Sequence, residues 1–318
     1  MKNFERKCLS LMVCSKAIEN YPAMTAQSPL KILQKGLSTR PTVALSSTIY
    51  GNPKERCTIP PIVLLHGLFG QKKNWNSVAK TLQKTLGITV YAVDLRNHGS
   101  SPRANSMTYE DQAADVIRFI KTKKEETGFD KVNLIGHSMG GKVAMRLAVD
   151  AEGGSLLNKL VIEDANPIGP STAGTKMRSN MLNYTAAMKK IDRKQTRQEI
   201  EKFLEPAIPN TAIRRYLLTN LEKNPDGSFD WKCNMEAIDG YVADSLGTSV
   251  VSTGAFTGPC LLLLGEYSGC LSKNDELKIR TFFPHIHFET ISDAGHWVHA
   301  DQPEAFSEAV IRFLKEVK

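Results

Sequence analysis

Ser138 stands between glycines in Gly136-His137-Ser138-Met139-Gly140, and the segments on either side give that spacing its meaning. Lys131-Val-Asn-Leu-Ile135 reads as a short buried strand, and Gly141-Lys-Val-Ala-Met-Arg-Leu-Ala148 as a helix. A serine on so sharp a strand-to-helix turn takes a strained, positive-φ backbone, and larger residues in place of the glycines would collide with the neighbouring strand and helix. The turn lifts the hydroxyl above the sheet edge and aims the next N–H at an incoming carbonyl. Ser138 is therefore a candidate nucleophile for acyl chemistry. Alone, the pentapeptide fits a tight turn with Ser138 as a helix N-cap equally well, so partners elsewhere in the chain must decide.

Attack by a serine needs a base, an acid that orients the base, and donors for the oxyanion. Asp293-Ala-Gly-His-Trp297 follows the last strand-like segment, and His296, preceded by a glycine, is placed in a loop able to swing toward the serine. Of the seven histidines it is the preferred base; His299, about one helical turn on, reads as structural or supporting. Met139 N–H, at a helix start where the dipole favours negative charge, is one oxyanion donor. His66-Gly67-Leu68-Phe69-Gly70 after the apolar run Ile62–Leu65 supplies the second, from Leu68 or Phe69. His66 itself reads as structural.

These groups need a rigid frame, and the patterning predicts one. Strand signals at Thr42–Tyr50 (one or two strands), Ile62–Leu65, Thr89–Val93, Val132–Ile135, Leu160–Ile162, Leu261–Leu264 and, nearer an edge, His287–Ile291 alternate with helical periodicity. The helices are expected at Ser77–Thr85, Tyr109–Thr122, Gly141–Val149, Glu276–Phe283 and Pro303–Val317. That alternation is the pattern of an α/β sheet with helices on its faces. From 166 to 253 no convincing buried strand appears. Met177, Met181, Tyr184, Met188 and Ile191 line one helical face, and further helices are expected at Arg197–Leu204, Thr211–Leu221 and Met235–Leu246, with a turn at Pro225-Asp-Gly227. The segment reads as a helical cap inserted into a core made of 41–165 and 254–318; its methionines serve core packing or line an adaptable acyl pocket.

The net charge of +8 invites a nucleic-acid reading, but residues 1–40 hold seven Lys or Arg against two Glu, which leaves about +3 for the rest, with no basic cluster interleaved with aromatics. That leader, rich in Ser, Thr, Lys and Arg, resembles a mitochondrial transit peptide; a cytosolic disordered N-terminus is the alternative. No apolar run reaches the length of a membrane span. Cys8, Cys14, Cys57, Cys233, Cys260 and Cys270 show neither a C-x-x-C pair nor metal spacing, and a reducing compartment fits them best.

Taken together, His66–Gly70, Asp94–Ser101, Gly136–Gly141 and Gly295-His296-Trp297 resemble the α/β-hydrolase superfamily over roughly residues 60–316. The wording HGLFG, RNHG, GHSMGGK and AGHWVHADQPE is similar to the α/β-hydrolase domain-containing protein eleven family, with bacterial short-chain esterases and yeast alcohol acetyltransferases further out. The resemblance implies a mostly parallel central sheet with flanking helices and an inserted helical cap. It implies a serine hydrolase of carboxylic esters or thioesters that needs no metal or organic cofactor, with a small acyl ester or thioester as substrate and neither nucleic acid nor a transmembrane segment involved. A serine on the strand-to-helix turn argues against the superfamily's dehalogenase and epoxide hydrolase chemistry, which uses an aspartate nucleophile. An acyltransferase with the same residues, or a binding protein that kept the fold, are the alternatives.

The acid departs from the usual pattern. Where many relatives carry an Asp after the strand Leu261–Leu264, this chain has Gly265-Glu-Tyr-Ser-Gly269, with Ser268 at the expected place and Glu266 too near the strand end. A serine cannot stabilise an imidazolium as a carboxylate does. The resemblance offers Asp164, in Val-Ile-Glu-Asp164-Ala-Asn-Pro, as the orienting acid, with Glu236 as the alternative.

Overall fold

Apolar runs too short for helices become strands buried on both faces. The chain, a computed structural model describing residues 36–55, 57–169 and 172–316, alternates them with amphipathic helices. In order come β1 (Ser47–Tyr50), β2 (Ile62–Leu65), α1 (Asn76–Leu86), β3 (Val90–Val93), α2 (Tyr109–Thr127), β4 (Val132–His137), α3 (Met139–Ala148), α4 (Ala151–Ser155) and β5 (Leu157–Glu163). Next come α5 (Thr172–Met188), α6 (Arg197–Leu204), α7 (Thr211–Leu218), β6 (Leu221–Lys223), β7 (Phe229–Trp231) and α8 (Met235–Asp244). The chain then returns through β8 (Cys260–Gly265), α9 (Lys273–Phe282), β9 (Ile286–Ile291), α10 (Val298–Asp301) and α11 (Pro303–Lys315). The expected leader lies, up to residue 35, outside the described residues.

Seven strands form one sheet in the order β1-β3-β2-β4-β5-β8-β9. Only β1 runs antiparallel, pairing Ser47 with Val93 and Tyr50 with Val90. Period-two alternation splits the strand side chains between two cores. Leu64, Ala92, Ile135, Val161 and Leu263 meet α1 and α11 through Val78, Leu82, Phe306 and Val310. Val63, Leu65, Tyr91, Leu134 and Ile162 meet α2 and α3 through Val116, Ile120, Val143 and Leu147 on the other face. With helices on both faces the strands need no polar side, which is why they read as unbroken apolar runs.

From β2 the sheet order runs to β3 in one direction and to β4 in the other. The carboxyl ends of β2 and β4 therefore flank a topological switch point, where open α/β sheets leave a crevice for ligands.

Differences from the sequence reading are local. Thr42–Tyr50 yields one strand, starting at Ser47. The short helices α4 and α10 were not expected. The helix expected to reach Leu221 stops at Leu218, and Leu221–Lys223 pairs with Phe229–Trp231 as a small antiparallel ribbon around the Pro225-Asp-Gly227 turn. Strands of three residues with one buried position each leave too little alternation to recognise. Among the described residues no helix is long and apolar enough to cross a membrane.

Candidate active site

Ser138 directly follows β4 with φ 50° and ψ −112°, and its N–H donates to Glu163 O at 2.9 Å. The flanking glycines are dictated by contact: a Cβ on Gly136 would stand 2.3 Å from Gly140 O, and one on Gly140 would stand 2.6 Å from both Leu65 O and His66 O. Although Ser138 occupies the N-cap position of α3, its side chain makes no capping hydrogen bond. Its Oγ lies 3.0 Å from His296 Nε2 instead.

His296 Nδ1 stands 2.6 Å from Asp164 Oδ2. Asp164 follows the last residue of β5 with φ 46°, its N–H donating to Leu263 O and its Oδ1 accepting from Gly265 N at 3.3 Å. The carboxylate is 1% exposed and the imidazole 23%. Among the described non-glycine residues, positive φ occurs at Phe69, Asn97, Ser138, Asp164 and Asp293. Phe69, Ser138 and Asp164 all border this site, where the fold sustains backbone strain for the placement it gives.

The structure does not bring the other carboxylates to His296. Glu236 is exposed in the first turn of α8 and lines a separate cavity with Arg103, Arg193 and Asp230. Glu266 accepts from Asp293 N at 3.0 Å. Ser268 borders the cavity at Ser138 without replacing an acid.

Behind His296 lies a second carboxylate–imidazole pair. Glu163, fully buried, accepts from His299 N at 2.8 Å and from His299 Nδ1–H at 2.7 Å. Burial raises the Glu163 pKa, but the neighbouring His299 and His137 and the two His299 donors outweigh it and hold the carboxyl below its ordinary range. His137 Nε2–H donates to His296 O at 2.9 Å, and burial pushes its own pKa down to about 3 despite the pull of Glu163. His137 is thus a neutral strut under the His296 loop. No spacing rule ties 137, 163 and 299 together; His137 was visible only as a letter of the serine motif.

The loop after β2 is pinned from several sides. His66 Nε2 accepts from Leu95 N, and His66 Nδ1–H donates to Gly67 O. Phe69 N–H donates to His98 Nε2 at 3.1 Å, so of the two donors expected in this loop Phe69 is occupied. Asn220 Nδ2 donates to Phe69 O at 2.7 Å, and Tyr216 Oη–H to Leu68 O at 3.0 Å. Among the described residues no hydrogen bond takes the N–H of Leu68 or Met139. The Asp94–Ser101 motif is structural. Arg96 pairs with Asp115 at 2.6 Å, and Asp94 accepts from Lys72 Nζ at 2.9 Å and from Ser100 N at 2.8 Å.

Two cavities meet at Ser138. The larger, about 350 Å³, is walled by Leu68, Met177, Met181, Tyr184, Leu217 and Trp297. Met177 and Met181 thus face it, whereas Met188 is fully buried in the core. The smaller, about 90 Å³, runs along the first turn of α3 past Asn166, Tyr109, Cys270 and Lys142. Among the described residues no group of three or more His, Cys, Asp or Glu is placed to hold a metal ion.

Comparison with known proteins agrees with this architecture. Residues 60–303 match the family model described as the alpha/beta hydrolase fold. The sn-1-specific diacylglycerol lipase ABHD11 of Mus musculus is 37% identical over 263 residues, which span 81% of this chain and 81% of that protein. A probable alcohol acetyltransferase of Saccharomyces cerevisiae is 33% identical over 80% of this chain and 77% of its own length. Among solved structures, a marine microorganism esterase superposes with a TM-score of 0.76 at 34% identity, covering 86% of this chain and 100% of that one.

Proposed function

The chain belongs to the α/β-hydrolase family, and from that premise we propose that it hydrolyses carboxylic esters or thioesters through an acyl-enzyme on Ser138. The hydrogen-bond line Ser138 Oγ–His296 Nε2 at 3.0 Å and His296 Nδ1–Asp164 Oδ2 at 2.6 Å carries the reading. His296 takes the Ser138 proton as Oγ attacks the acyl carbon, and Asp164 stabilises the imidazolium and fixes its tautomer. Leu68 and Met139 N–H groups receive the oxyanion. Collapse of the tetrahedral intermediate breaks the bond to the alcohol or thiol, which leaves with the proton from His296. Water, deprotonated by His296, then attacks the acyl-enzyme, and Ser138 recovers its proton as the acid departs.

The segment 166–253 acts as the cap that sets acyl length, since its Met177, Met181, Tyr184 and Leu217 wall the larger cavity. Esters of hydrophobic acyl chains, acylglycerols among them, fit that wall and accord with the name of the mouse relative. The basic leader directs the protein to mitochondria; a fluorescent fusion of residues 1–45 that stays diffuse in the cytosol would contradict this.

Turnover of p-nitrophenyl esters of graded chain length tests the function. Hydrolysis by the wild type, abolished in Ser138→Ala, is expected; equal turnover by both removes the reading. The yeast relative's name motivates one further arm. With ethanol and an acyl donor, free acid should dominate over ethyl ester, and the reverse would make the chain an acyltransferase.

A further inference from the structure

The smaller cavity at Ser138 has a feature that ester cleavage as such does not need: a lysine without a counter-charge. Lys142 lies one turn beyond Ser138 on α3, about 6 Å along the helix axis. Its ammonium donates to Thr248 O at 2.9 Å and stands 5.7 Å from the Tyr109 ring centroid. Among the described residues no carboxylate forms an ion pair with it. Asp164 borders the same cavity, but its oxygens are engaged by His296 and by Gly265 N. Asp275 accepts from Asn166 Nδ2 and from the Ser272 backbone and hydroxyl. Cys270, also on the wall, has its thiol pKa raised by burial and is neutral near pH 7.

Lys142 is half-buried, and partial loss of hydration around a cation that the protein does not neutralise draws its pKa down to about 8. A partly desolvated lysine on a cavity wall, with ammonium protons left over, is a receptor for an anion, and the hydrogen bond so formed is charge-assisted. The cavity's small volume, about 90 Å³, suits a compact group rather than an acyl tail, for which the larger apolar cavity at Ser138 has room.

We propose that the smaller cavity is a subsite for a carboxylate carried on the alcohol half of the ester, with Lys142 as the residue that selects it. The inference rests on the serine-hydrolase reading of Ser138. An ester of a short hydroxy acid, such as glycolate, places its carboxylate a few bonds from the ester oxygen, toward the first turn of α3.

The test compares kcat/KM for O-hexanoyl glycolate with that for its neutral isostere O-hexanoyl glycolamide, in the full chain near pH 7. The wild type should favour the anion roughly tenfold to a hundredfold, mostly through KM, the range expected of one hydrogen bond to a charged group. Lys142→Met should bring the ratio to about one, and Lys142→Gln supplies a second variant in case the first does not fold. Fluorophosphonate labelling of each variant reports on an intact site independently of the ratio. A wild-type ratio near one, or variants that label and keep the wild-type ratio, would overturn the subsite while leaving the hydrolase reading in place. Failure of the wild type to cleave either ester and to take the label would remove both.

Discussion

Asp164→Asn is the perturbation that separates a working acid from a bystander. The substitution keeps the shape of a side chain that is 1% exposed and removes only the formal charge 2.6 Å from His296 Nδ1. Charge centres on a carboxylate and an imidazolium so arranged lie about 4 Å apart, and with an effective dielectric near 20 their attraction is ~4 kcal/mol. That attraction develops as His296 takes the Ser138 proton on the way to the transition states. The loss therefore falls on the barrier, and kcat should drop about a thousandfold with KM within about threefold. Steady-state hydrolysis of p-nitrophenyl butyrate near pH 7 measures both, with thermal unfolding to confirm that the variant is folded. Glu236→Gln, on an exposed position of α8, should stay within about twofold by the same assay. A kcat for Asp164→Asn within tenfold of wild type, or an equal loss in Glu236→Gln, would refute the assignment.

Three other outcomes follow from the same geometry. His98 and His137, both with pKa values held down to about 3 by burial, lie below their unfolded value of 6.5, so their stability contribution is present above pH 6.5 and lost as pH falls. Denaturant unfolding should show a loss of ~2 kcal/mol per histidine between about pH 7 and pH 5, and an unchanged midpoint would contradict the buried neutral state. Met181→Trp fills part of the larger cavity, so the kcat/KM ratio of octanoate to butyrate esters should fall about tenfold; an unchanged ratio would place the acyl chain elsewhere. Tyr216→Phe removes the hydroxyl that holds Leu68 O at 3.0 Å. It should lower kcat by roughly three- to tenfold with KM unaltered, as expected when an oxyanion donor loses its support.

Much of the frame is legible in the chain because its physical causes are local. Ile62–Leu65 is an apolar run bounded by prolines and a glycine-rich loop, and the strand has those same limits. The helix Arg197–Leu204 opens on Thr196 and Glu199, a reciprocal cap, and its bounds also agree. The ribbon at 221–231 was hidden because three-residue strands carry almost no periodic signal. At the site the glycines around Ser138 announce a close approach, which the contacts at Gly136 and Gly140 explain. Asp164 differs: nothing in its own neighbourhood distinguishes it from a helix-capping carboxylate, and only the resemblance singled it out. His299 read as structural or supporting, but its pairing with Glu163 and the role of His137 were beyond reach for a further reason. Their contacts join β5, α10 and the end of β4 across 136 residues of sequence, and such pairing is fixed by sheet topology, not by spacing.

The central claim is that Ser138 is a nucleophile activated by His296. Its most direct measurement is the mass of the intact protein after exposure to a fluorophosphonate, with the modified peptide mapped. One adduct per chain, on Ser138, is expected, with labelling at least a hundredfold slower in His296→Ala, since loss of the general base removes a contribution of about that size or more. An adduct on another residue, no adduct at all, or labelling that proceeds equally well without His296 would contradict the account.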